Sequence, residues 1–71
     1  MRVLLIEDDR RLVRALRRVL EEERYVVDEA FDGVEGEELA RGGDYDFIVL
    51  DWMLPGRDGL TVCRNLRRAR I

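Results

Sequence analysis

Histidine and lysine are absent from this chain, and cysteine and proline occur once each. The single cysteine, Cys63, excludes an internal disulfide framework and indicates a reducing compartment. The apolar run after Arg2 is far too short for a signal-peptide core or a membrane span, so we expect a cytoplasmic protein without a membrane partner. At 71 residues the chain forms at most one small domain, whose stability should be marginal.

The charged residues are many but are not gathered into one patch. Thirteen basic residues, all arginine, stand against sixteen acidic residues, for a formal net charge of −3. The arginines are scattered over the helical segments, which argues against direct nucleic-acid binding. Arginine also cannot replace lysine where a compact, strongly hydrated point charge is needed.

Hydrophobic patterning predicts a strand followed by a helix, three times over. Short apolar runs predict strands at residues 3–6, 25–30 and 47–50, and Asp28 and Glu29 give the second strand the character of a sheet edge. Apolar residues at helical spacing predict helices that begin near Leu12, Val34 and Leu60. This alternation predicts an α/β fold with parallel strands, right-handed crossovers and helices on the sheet faces.

Acidic side chains follow two of the predicted strands. Glu7 and Asp8 come directly after the first strand, and Asp51 ends the third. If these strands are neighbours, the three carboxylates meet at one rim of the sheet, where ligands bind in such folds. Their mutual repulsion would be relieved by a hard divalent cation such as Mg²⁺, and an aspartate can act as a nucleophile toward phosphorus. Acids at strand ends are also common as solvated loop residues or caps, and spacing alone leaves both interpretations open.

Three segments together resemble the receiver domain of bacterial two-component response regulators. They are residues 4–9 (LLIEDD), 47–51 (FIVLD) and 53–59 (MLPGRDG), and the resemblance covers the whole chain in order. Residues 51–64 are most similar to the OmpR/PhoB-like subgroup, whose receiver precedes a winged-helix DNA-binding domain. The resemblance implies a flavodoxin-like fold with strand order 2-1-3 for the part present. It also implies that DNA would be bound only through an output domain outside these residues.

The resemblance also implies the role of each site residue. Asp51 would accept a phosphoryl group from the phosphohistidine of a sensor histidine kinase. Asp8 would bind Mg²⁺ directly, together with Asp51 and the main-chain carbonyl of Met53. Glu7 would hold the ion through water. Such a domain is a phosphoacceptor signalling module that controls transcription through its output domain, not a turnover enzyme.

The sequence departs from the family in its extent. Residues 1–71 are expected to be the N-terminal part of a receiver, because a complete one has about five strand-helix units and only three are present. The Ser/Thr and lysine expected after the fourth and fifth strands have no counterpart here, since Thr61 lies in the third helix. In a 2-1-3 sheet, residues 47–50 form an apolar edge, so we expect self-association through it or cover by further chain.

Two other functions remain open from the residues alone. The segment would act only as an interaction or self-association unit if it is not phosphorylated. An aspartate-nucleophile phosphatase is weaker, because no second acid stands two residues after Asp51. For three other residues we expect packing roles: Trp52 in the core or at its rim, Cys63 in the core, and Asp58 as the cap of the third helix.

Overall fold

Strands and helices alternate along the chain, and the computed structural model describes all 71 residues. The elements are β1 (Arg2–Ile6), α1 (Arg10–Glu22), β2 (Val26–Ala30), α2 (Gly33–Gly42), β3 (Phe47–Leu50) and α3 (Gly59–Arg68). The strands form one parallel sheet in the order β2-β1-β3. The predicted α/β class and the 2-1-3 order are confirmed. None of the helices is long and apolar enough to cross a membrane.

Strand β1 lies at the centre of the sheet and is buried on both faces. Leu4 and Ile6 belong to a core shared with α2, α3 and the loop before α3. Val3 and Leu5 belong to a second core, where Val13 of α1 packs over β1 and β2. The four consecutive apolar residues of β1 are therefore required because successive side chains point to opposite faces.

The two faces of the sheet are covered unequally. Helices α2 and α3 pack on one face, whereas α1 alone packs on the other. Strand β3 is an edge, although its apolar sequence suits a central strand. On the α1 side its residues Phe47 and Val49 are 52% and 46% exposed, because α1 lies over β1 and β2.

In α1 and α3, only some of the apolar residues are buried. In α1, the apolar residues Leu12 and Val19 are exposed, and Val13 is fully buried. In α3, Val62 and Leu66 are buried, whereas Leu60 is exposed. Helical periodicity identifies an apolar face, but the width of that face that is covered depends on what packs against it.

Trp52 and Cys63 are less buried than predicted. Trp52 is 61% exposed, so it does not lie in the core, and Cys63 is half-buried. Both line an open apolar groove of about 370 Å³ beside the free side of β3. The groove residues are Ile48, Leu50, Trp52, Cys63, Leu66, Arg67 and Ile71.

Candidate functional site

Three carboxylates converge at the carboxyl ends of β1 and β3. Glu7, Asp8 and Asp51 each offer a carboxylate oxygen, and these oxygens all lie within 4.8 Å of one another. The sheet sets their positions, because its hydrogen bonding continues one residue beyond each strand. The Glu7 N–H donates to the carbonyl of Ala30 at 3.0 Å, and the Asp51 N–H donates to the carbonyl of Ile6 at 3.0 Å.

The fourth acid of this region, Asp9, has a different role. Its Oδ1 accepts hydrogen bonds from the N–H groups of Arg11 at 3.0 Å and Leu12 at 3.3 Å, at the start of α1. This is an N-cap, which satisfies donors that the first helical turn leaves free. The structure thus separates the acidic run into one capping residue and two residues that face Asp51.

The cluster has no basic side chain to balance it. None of the five ion pairs in the molecule includes Glu7, Asp8 or Asp51. Burial raises the pKa of Glu7, and the neighbouring Asp8 and Asp51 side chains raise it further. Hydrogen bonds from the N–H groups of Asp8 at 2.7 Å and Asp9 at 3.3 Å oppose this rise in the pKa and orient the Glu7 carboxylate.

The loop after Asp51 is closed by one main-chain hydrogen bond and shaped by two glycines. The Gly59 N–H donates to the carbonyl of Trp52 at 3.0 Å, which closes the loop at the start of α3. A Cβ at Gly59 would collide with the carbonyl of Asp51 and the Cα of Trp52, so this close approach requires glycine. Gly56 has φ of +80°, a left-handed conformation that glycine adopts without strain.

Asp58 and Met53 are the two other residues of this loop that the sequence singled out. Asp58 caps α3, because its Oδ1 accepts from the Thr61 N–H at 2.9 Å and its Oδ2 from the Thr61 hydroxyl at 3.2 Å. The cap prediction for Asp58 is confirmed. Met53 is 83% exposed, and its carbonyl oxygen accepts no main-chain hydrogen bond, so that oxygen is free for a ligand.

A buried acid on α2 was missed by reasoning from the sequence. Glu37 is 7% exposed and accepts hydrogen bonds or ion pairs from Arg57, Asn65 and Arg41. Burial opposes its ionisation, but the hydrogen bonds from Asn65 and Arg57 outweigh burial and hold the pKa of Glu37 below its usual value. The available signal was its position on the buried face of α2 with Gly33, Gly36 and Ala40.

The donor set of the three-carboxylate cluster suits a hard cation. It offers carboxylate oxygens and a free carbonyl, without sulfur or imidazole, and its charge is uncompensated. Such oxygen sites favour Mg²⁺ or Ca²⁺ over softer metals. Asp51 is also half-buried at a strand end, where one of its oxygens can act as a nucleophile.

Comparison with known proteins gives consistent matches over the whole chain. The family described as "Response regulator receiver domain" matches residues 3–70. The transcriptional regulatory protein TcrA of Mycobacterium tuberculosis is 46% identical over 71 residues, which are 100% of this chain and 28% of TcrA. The transcriptional regulatory protein ResD of Bacillus subtilis is 44% identical, over 97% of this chain and 29% of ResD. The chain therefore spans less than a third of the length of these relatives.

Two solved structures of response regulators superpose on nearly the whole chain. The Francisella response regulator 1452 receiver domain superposes with a TM-score of 0.94 at 36% identity, over 99% of this chain and 58% of that one. TrrA of Thermotoga maritima, a response regulator solved in complex with Mg²⁺ and BeF, superposes with a TM-score of 0.92 at 33% identity, over 97% and 60% of the two chains.

Proposed function

This chain belongs to the family of response regulator receiver domains, and on that premise we propose that Asp51 accepts a phosphoryl group from the phosphohistidine of a sensor histidine kinase. The observation that carries the proposal is the convergence of Glu7, Asp8 and Asp51 within 4.8 Å at the carboxyl ends of β1 and β3. Receiver domains are signalling modules of two-component systems, so one phosphorylation event and not repeated turnover is the expected output.

The transfer uses Asp51 as the nucleophile. One oxygen of its carboxylate forms the new bond to phosphorus, while the bond between phosphorus and the histidine nitrogen of the kinase breaks. The nitrogen keeps the electron pair, and the product on this chain is an aspartyl phosphate. The hydrogen bond from the Asp51 N–H to Ile6 fixes the nucleophile at the rim of the sheet.

The metal we propose is Mg²⁺. Asp8 and Asp51 would hold it directly, with the main-chain carbonyl oxygen of Met53, and Glu7 would hold it through water. The raised pKa of Glu7 and the absence of a paired arginine support a cation at this cluster. Bound Mg²⁺ would supply positive charge against the phosphoryl oxygens and the carboxylates.

Residues beyond these 71 complete the site in our proposal. The chain contains no lysine, and Thr61, its one threonine, is engaged with Asp58 in the cap of α3. We therefore propose that residues 1–71 are the N-terminal part of a receiver whose remaining units supply the other wall of the phosphate pocket. Because the relatives are named transcriptional regulators, we propose transcriptional control through an output domain that binds DNA.

The exposed edge of the sheet supports a second copy of this chain as a further partner. Strand β3 has β1 on one side and no strand on the other, and Phe47 and Val49 are exposed there. We propose that the chain by itself self-associates through this edge. Self-association without phosphorylation is the rival function, and it is not favoured by the family match.

The test is incubation with acetyl phosphate and Mg²⁺, followed by intact mass spectrometry. We expect a gain of one phosphate, which is lost when Mg²⁺ is chelated and in Asp51→Asn. Asp44→Asn is the matched control, because Asp44 is exposed and lies before β3, at the other end of that strand. An adduct that persists in Asp51→Asn would overturn the assignment of the nucleophile. No adduct on the wild-type chain would support the rival function, and steady release of phosphate would indicate a phosphatase.

A further inference from the structure

Glu37 is the one charged residue that the fold buries, at 7% exposure. A buried carboxylate is stable only when charged or hydrogen-bonding partners replace the lost water. Glu37 has such partners on both of its oxygens. Oε1 accepts from Asn65 Nδ2 at 2.8 Å, whereas Oε2 lies 2.8 Å from an Arg57 guanidinium nitrogen and 3.5 Å from Arg41 Nε.

The three partners come from three different parts of the chain. Arg41 is on α2 itself, one turn after Glu37, and Asn65 is on α3. Arg57 is on the loop between Asp51 and α3, the loop that carries the Met53 carbonyl. The shortest ion pair of Glu37 is thus the one that reaches the Asp51 loop.

A second contact holds the same loop against α2. The Gly33 N–H, in the first turn of α2, donates to the carbonyl of Pro55 at 3.0 Å. A Cβ at Gly33 would collide with the carbonyl of Arg57, so the loop backbone lies directly against the helix. Residues 55–57 are therefore held to α2 by one main-chain contact and one ion pair, which together limit how the loop can move.

We propose that Glu37, acting through Arg57, is a positioning residue that holds the loop of residues 51–58 on α2 and so fixes Asp51 and the Met53 carbonyl relative to Asp8. The inference rests on the proposed function of Asp51. Small displacements of a reacting group lower rates steeply, by roughly 100-fold for about 1 Å. A role in packing α2 against α3 would instead act through Asn65 and would leave the loop in place.

The experiment compares two arginine variants in the full chain. Arg57→Gln and Arg41→Gln each remove one guanidinium from the same Glu37 oxygen, but only Arg57 is on the loop. The first readout is the rate of aspartyl phosphate formation with acetyl phosphate and Mg²⁺. We expect Arg57→Gln and Glu37→Gln to slow it by roughly 10- to 100-fold, and Arg41→Gln to leave it unchanged. The double variant Glu37→Gln/Arg57→Gln should be no slower than either single variant, because both substitutions remove the same ion pair.

The second readout is hydrogen exchange of single amides, which requires no phosphorylation. We expect the Gly33 amide, bonded to Pro55, to exchange faster in Arg57→Gln and Glu37→Gln, while the Glu7 amide in the sheet keeps its wild-type rate. Arg57→Lys should restore slow exchange and most of the phosphorylation rate, because it keeps the charge.

The outcomes separate this inference from the proposed function. Wild-type exchange at Gly33 together with a wild-type rate in Arg57→Gln would overturn the positioning role. Equal slowing of aspartyl phosphate formation by Arg41→Gln would also overturn the positioning role. Loss of either guanidinium beside Glu37 would then be enough to slow the reaction. A wild-type chain that forms no adduct would refute phosphorylation of these 71 residues by themselves, and faster Gly33 exchange in Arg57→Gln would still support the ion pair between Glu37 and Arg57 as the contact that holds the loop to the helix.

Discussion

At the scale of single residues, Asp28 on β2 gives the clearest dependence of stability on pH. A hydrogen bond from the Tyr45 hydroxyl at 2.7 Å, followed by one from Arg2 at 2.8 Å, lowers the pKa of Asp28. A carboxyl group with a lowered pKa in the folded state stabilises the fold above its unfolded pKa of about 3.9. That contribution disappears as the pH falls through the lower folded pKa.

We therefore expect Asp28→Asn to lower the free energy of unfolding at pH 7 by no more than about 1 kcal/mol, because the side chain is 39% exposed. The deficit should shrink below about pH 4. Urea titrations of the wild-type chain and of Asp28→Asn at several pH values measure this difference in the free energy of unfolding. Tyr45→Phe, which removes the larger cause of the shift, should reproduce part of the effect. A deficit that is constant from neutral to acid pH would show that the Asp28 charge does not stabilise the fold.

At the scale of elements, the features that can be predicted from the sequence are those set by neighbouring residues. The caps at Asp9 and Asp58 were predictable because a cap depends on residues within one turn. Glycine within a helix usually destabilises it, yet α2 forms a regular helix from Gly33 to Gly42 with Gly36 in its middle. Gly36 instead lets α2 approach β1, a contact that local sequence does not reveal.

The close approach at Gly36 gives a prediction with an internal control. A Cβ at Gly36 would lie 2.6–2.9 Å from side-chain carbons of Ile6, which is fully buried. Alanine favours helix by about 1 kcal/mol over glycine, but overpacking typically costs about 1–3 kcal/mol. We expect Gly36→Ala to destabilise the protein, as measured by thermal unfolding. At Gly42 a Cβ would meet nothing within 4 Å, so Gly42→Ala should be neutral or stabilising. A stabilised Gly36→Ala variant would mean that α2 has room to move away from β1.

At the scale of the whole molecule, parallel pairing made much of the site predictable. Glu7, Asp8 and Asp51 are brought together once β1 and β3 are neighbours, and that order came from the family resemblance. The contact between Glu37 and Asn65 spans 28 positions, and nothing local indicates which partners Glu37 meets. The exposure of Trp52 was missed for a related reason, since it depends on which elements cover the free side of β3.

The free edge of β3 is the feature from which we predict how the molecule behaves in solution. An apolar edge strand is a template for another strand, and pairing of two copies about a two-fold axis would use the same surface on both. We expect the 71-residue chain to self-associate and Val49→Lys to shift it toward monomer, because a charge at an edge opposes pairing. Val19→Lys is the matched control, since Val19 is 58% exposed on α1, away from β3, and Val49 is 46% exposed. Sedimentation velocity over a range of concentrations measures both. A wild-type chain that stays monomeric at every concentration, or equal effects of the two lysines, would exclude the β3 edge as the contact.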